Sequence, residues 1–167
     1  MEHMGQSSVR ADDRYARYGR DLQRGLEYED YVYTLMVRHL GLVTVPYVSA
    51  LWQNKIGENS AGIEIKFNDK FDQTGNLYIE TYRKSHPDQT DYKRSGILRE
   101  DNGWLFITGT RKKVFMFTRR MLAGLRDRYS ETVTATSKGF LLPEADAMKY
   151  AAYVIVPKYD DLDPTND

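Results

Sequence analysis

Apolar residues recur at helical spacing early in the chain, where Leu26, Tyr31, Val32, Leu35, Met36 and Leu40 make a stripe over residues 25–39 and Gly41 supplies a stop. The two dozen residues before it mix arginine with aspartate, which predicts a polar arm or helical extension over 1–24. The period then drops to two. LVTVP (42–46) predicts a short strand closed by its proline, and GIEIKF (62–67) and NLYIETY (76–82) predict two longer ones. Between these two, NDKFDQTG carries Asn, Asp and Gly turn residues, so the pair reads as a β-hairpin. Residues 83–102, with His86-Pro87-Asp88 and Ser95-Gly96, read as a surface loop. WLFITG (104–109) and KVFMFT (113–118) predict two more strands, and Thr118 caps a helix with Met121, Leu122, Leu125 and Tyr129 on its inner side. ETVTATSKG (131–139) predicts a late strand, and PEADAMKYAAYVI (143–155) predicts a second short helix with Pro143 or Glu144 in its first turn. The expected architecture is α/β, a mixed central β-sheet flanked by helices, in one domain over 25–157 with an acidic, disordered tail over 158–167.

Composition narrows the chemistry. The 167 residues suit a single domain, and 41% hydrophobic with 29% charged residues suits a water-soluble core and surface. There is no cysteine, which removes disulfides, thiolate zinc sites and cysteine nucleophiles and points to a reducing compartment. Only His3, His39 and His86 offer an imidazole, so a metal site would rest on carboxylate oxygens, which favour magnesium, manganese or calcium. No window approaches the roughly 20 apolar residues of a membrane span, and the first ten residues lack the apolar core of a secretion signal; the expectation is a cytoplasmic protein without a membrane partner. The formal net charge of +0 conceals a division: residues 83–128 hold 12 of the 24 Lys and Arg against 5 acids. Gathered on one face, such a segment would bind a phosphate backbone; dispersed, it is solvated surface.

Alternation places Ile63, Ile65 and Phe67 on one side of their strand, which turns Glu64 and Lys66 to the other. Leu77 and Ile79 likewise turn Tyr78, Glu80 and Tyr82 away from their own side. If the two apolar faces are buried together in a hairpin, Glu64, Lys66 and Glu80 share one patch. Two acids with a lysine suit metal-assisted phosphodiester hydrolysis, in which a cation sits between carboxylates and an ammonium faces a phosphoryl oxygen. The same three residues also suit cross-strand ion pairs on a wet sheet face.

Gly25-Leu26-Glu27-Tyr28-Glu29-Asp30 opening an amphipathic helix, then Gly62-Ile63-Glu64-Ile65-Lys66, then Gly75-Asn76-Leu77-Tyr78-Ile79-Glu80, then Ser95-Gly96-Ile97 before an aromatic strand, resemble the PD-(D/E)XK nuclease superfamily over about residues 25–118, its restriction-endonuclease-like and phage-encoded members above all. The resemblance implies that fold and a magnesium- or manganese-dependent DNA nuclease. Glu64 and Glu80 would be the acids of the two strands, Glu29 an extra carboxylate from the first helix, and two or three of these would hold the ion. The sequence departs from the pattern at the lysine, because Glu80 is followed by Thr81 and Tyr82. Lys66 can supply the ammonium from the neighbouring strand, Lys84 from further along, or Glu64-Ile65-Lys66 is itself the acid-x-lysine element with Glu58 as the earlier acid and metal ligand; a catalytically silent protein that binds nucleic acid or a protein is the alternative. In a nuclease Arg111, Lys112, Lys113, Arg119 and Arg120 would grip phosphates, with Lys93, Arg94 and Ser95 extending the grip, and a symmetric homodimer would serve to cut both strands. No serine elbow or phosphate-cradling glycine loop is present.

Overall fold

The computed structural model describes residues 6–158. In chain order the elements are α1 (Gln6–Leu40), α2 (Ala50–Lys55), β1 (Ile63–Phe67), α3 (Phe71–Thr74), β2 (Asn76–Arg83), β3 (Lys93–Arg94), β4 (Leu105–Thr110), β5 (Lys113–Thr118), α4 (Arg119–Leu125), β6 (Glu131–Val133), β7 (Ser137–Pro143), α5 (Glu144–Tyr150) and β8 (Tyr153–Ile155). Helix α1 is continuous through the expected arm from Gln6 onward, while residues 1–5 and all of the expected tail but Lys158 lie outside the described residues. Gly41, at φ 63°, ends α1 by donating its N–H to the Val37 carbonyl at 3.0 Å. No helix among the described residues is long and apolar enough to cross a membrane.

The strands divide between two four-stranded sheets, β1-β4-β5-β8 and β3-β2-β7-β6. The first is mixed, since β1 runs parallel to β4, and the second is antiparallel. Register decides which residues share a face: Ile63 and Ile65 align with Leu105 and Ile107, and Val114 and Met116 lie beyond them. This apolar face packs under Tyr28, Val32, Leu35 and Met36, the stripe at helical spacing on α1. The opposite face carries Phe106, Phe115 and Phe117, which meet Leu77, Ile79, Phe140 and Leu142 from the second sheet and Leu122, Leu125 and Ala147 from α4 and α5. The order of layers is therefore α1, first sheet, second sheet. Each large side chain buried in these two cores contributes roughly 1.5–3 kcal/mol, which holds the layers together.

The expected hairpin does not form: β1 and β2 belong to different sheets. The reason lies in their connection. Phe71 is buried on α3 and meets Phe115 edge-on at 5.4 Å between ring centroids, which draws the connection into the core and splays the strands. Asn68 fills the gap. Its amide donates to the Tyr78 carbonyl at 3.1 Å and accepts the Tyr78 N–H at 3.3 Å, so one side chain stands where a strand ladder was expected. Three other expectations change. The helix expected over 143–155 is α5 only to Tyr150, and its last residues, Tyr153–Ile155, pair with β5 as β8. LVTVP contributes only an isolated bridge, Pro46 to Asn59, and ETVTATSKG splits into β6 and the start of β7 around residues 134–136.

Candidate active site

Glu64 and Lys66 share the inner face of β1, alongside Phe106 and Thr108 of β4. β1 is an edge strand of its sheet, so its far side carries no ladder. Glu64 is 3% exposed, and a carboxylate so buried is tolerated only when its charge is met. Its Oε2 accepts from Arg119 Nη2 at 3.3 Å and its Oε1 lies 3.4 Å from Lys66 Nζ. The same ammonium lies 3.6 Å from Glu58 Oε1, and that oxygen is 3.4 Å from Arg99 Nη1. Arg99 Nε pairs with Asp101, and Arg119 Nη1 pairs with the other Asp101 oxygen. These contacts close a ring of alternating sign: Lys66, Glu58, Arg99, Asp101, Arg119, Glu64 and back to Lys66.

The ring balances three cations against three acids, and Glu29 on α1 is the acid left over. Burial raises the Glu29 carboxyl above its ordinary value; Lys66 pulls it down, while Glu58 and Asp30 push it up. For Lys66, desolvation favours the neutral amine, but Glu64, Glu58 and Glu29 outweigh it and hold the ammonium above the usual lysine value. Asp101 moves the other way: burial would raise it, yet the Gly103 N–H, Arg119 and Arg99 together hold its carboxyl below the aspartate range.

Glu80 stands on the second sheet and receives the Ser95 hydroxyl at 2.6 Å. The next two residues explain the rest of this tripeptide. Gly96, at φ 48°, lies so close to β2 that a Cβ would come within 2.3 Å of the Glu80 carbonyl, and its own carbonyl accepts from Arg119 Nη2 at 2.7 Å. Ile97 is buried in the inner core. Ser95-Gly96-Ile97 thus locks the Glu80 wall to the ring. Between the walls lies a cleft of about 650 Å³ that Lys66, Asn68, Tyr78, Glu80, Arg83 and Leu141 help to line.

The structure brings Glu29, Glu58, Glu64 and Lys66 together, with Glu80 across the cleft rather than beside Glu64 on a hairpin. The basic stretch disperses. Arg119, expected to grip phosphate, is 8% exposed and sits in the ring. Arg111 lies 5.4 Å over the Tyr31 ring, Lys112 pairs with Asp72 at 3.2 Å and Lys113 pairs with Glu144, while Arg120 is exposed on α4. Lys93 and Arg94 are exposed on β3, Arg94 pairing with Glu100 at 2.6 Å. Sequence reasoning missed Asp101, and it grouped Arg99 with Lys93 and Arg94 as a phosphate contact rather than with the acids of this ring. Their visible sign was two opposite charges two residues apart, between the buried Ile97 and the strand that begins at Leu105.

Among the described residues no group of three or more Asp, Glu or His side chains is gathered that could hold a metal ion. One oxygen each of Glu58 and Glu64 converges instead on the Lys66 ammonium. No family model, curated protein or solved structure matches this chain.

Proposed function

We propose that this protein hydrolyses phosphodiester bonds in nucleic acid, DNA in the first instance, at the edge of β1. One observation carries the reading: a single ammonium, Lys66 Nζ, lies 3.4 Å from Glu64 and 3.6 Å from Glu58 at the mouth of a cleft. The PD-(D/E)XK resemblance and its restriction-endonuclease-like fold are part of this proposal, in the version where Glu64-Ile65-Lys66 is the acid-x-lysine element and Glu58 the earlier acid. Magnesium or manganese would be held by Glu64 and Glu58, and when bound would supply Lewis acidity toward a phosphoryl oxygen. Lys66 sets positive charge against a non-bridging oxygen and orients the attacking water. Glu29, with its raised carboxyl, is suited to exchange a proton with that water. Arg119 donates to Glu64 Oε2 and so fixes the direction of that carboxylate.

The test is cleavage of labelled oligonucleotides and plasmid with magnesium or manganese. Lys66→Met and Glu64→Gln should each lower the rate by about 10²–10⁴ while far-UV circular dichroism stays unchanged. A second reading, the silent binder, draws support from the closed ring, in which every acid already has a cation. Binding of DNA without cleavage under either metal would select it.

A further inference from the structure

The cleft continues past the ring. Arg83, the last residue of β2, lies directly opposite Lys93 in the β2–β3 pairing, and both are exposed. Like charges facing each other across a ladder repel, and among the described residues neither side chain has a carboxylate ion-pair partner. Arg83 borders two hollows at once: the cleft of about 650 Å³ that contains Lys66 and Glu80, and an adjoining one of about 350 Å³ with Lys84, Lys93, Asp88 and Asp91 on its rim. Beside them, Lys84 and Lys138 approach the ring of Tyr92 at 5.1 and 4.9 Å. Of the acids here, Glu131 pairs with Lys138, Asp88 lies 3.2 Å from His86 Nδ1 and Asp91 accepts from the Thr90 hydroxyl, so none of them reaches Arg83 or Lys93. Two adjacent, unneutralised cations between two hollows suit successive phosphates of one strand.

The opposite wall of the cleft has a different character. Tyr78 and Leu141 are aligned across β2 and β7, and Leu141 is 42% exposed. A base can lie against such a wall only when it is unpaired and unstacked, and a hollow of this volume suits a ligand the size of a nucleotide rather than a duplex.

We infer that a single strand of nucleic acid crosses the end of β2, with phosphates on Arg83 and Lys93 and an unpaired base against Tyr78 and Leu141. This rests on reading the cleft as a nucleic-acid site and names the form of substrate it takes.

The experiment is equilibrium binding of a fluorescent single-stranded oligonucleotide, and of the same sequence as a blunt duplex, to the full chain without divalent ions over a range of salt. The single strand should bind more tightly. The double variant Arg83→Ala with Lys93→Ala should weaken it about tenfold or more at low salt. It should also make the slope of log affinity against log salt shallower by about 1.4, two contacts at roughly 0.7 each, with an unchanged unfolding midpoint. Lys149→Ala, at an exposed lysine of α5, should change neither. Equal or tighter duplex binding, an unaltered slope in the double variant, or no binding overturns the inference. Binding that needs Arg83 and Lys93 in a protein that cleaves nothing upholds the track and sinks the nuclease; cleavage that needs Lys66, with wild-type binding in the double variant, sinks the track alone.

Discussion

Two charged regions of this molecule have nearly the same ingredients and opposite characters. The stretch from Arg111 to Arg128 is dense in cations, yet it is spread around a tight turn and a short helix, where Lys112 meets Asp72, Lys113 meets Glu144 and Arg126 meets Asp127, one local pair at a time. The ring at the edge of β1 draws its six members from residues 58 to 119 and shields four of them from water: the side chains of Glu64, Asp101 and Arg119 are under 10% exposed and that of Arg99 is 24% exposed. Exposed pairs are screened and contribute about 0–1 kcal/mol, whereas separating a buried pair leaves a bare charge in a poor solvent. Arg119 belongs to the first region by sequence and to the second by structure, which shows that local charge density says little about where a field is strong.

The contrast is open to attack in order of size. Arg119→Ala leaves Glu64 and Asp101 without their shared guanidinium and should cost about 3–5 kcal/mol, read as a large drop in the urea midpoint. A loss near that of an exposed pair would place the ring in the same class as the surface. Acid should act next. The Asp101 carboxyl lies below its unfolded value, so the stability it contributes is present at neutral pH and is lost as pH falls through the depressed folded value. Thermal midpoints followed from about pH 7 to pH 3 should fall, and Asp101→Asn should be less stable at neutral pH with a flatter acid slope. The smallest effect belongs to the other region: Lys112→Ala should shift stability by less than about 0.5 kcal/mol, since its ammonium is mostly in water.

Local pattern carried the strands well. The alternation in Ile63-Glu64-Ile65-Lys66 put the two charged residues on one face, and there they lie, 3.4 Å apart. The cap at Thr118 is also present, its hydroxyl accepting the Met121 N–H at 3.2 Å. Partnership was harder to read. Alternation fixes which way a side chain points but not which strand lies alongside, so the turn-like connection suggested a hairpin although Phe71 within it was apolar enough to be claimed by the core. Burial of Arg119 was equally hidden, because arginine in a basic run looks like surface until Asp101 and Glu64 arrive from distant loops and strands. The meeting of Glu58 with Lys66 depends on the same long-range closure.

The amide of Asn68 gives the cleft a mechanical property. Where two strands are laced together along their backbones, prising them apart means tearing several bonds in succession. Here the backbone of β2 is fastened beside β1 by one side chain at Tyr78, a single stitch along a seam that the inner core closes below and Ser95-Gly96-Ile97 closes at the far end.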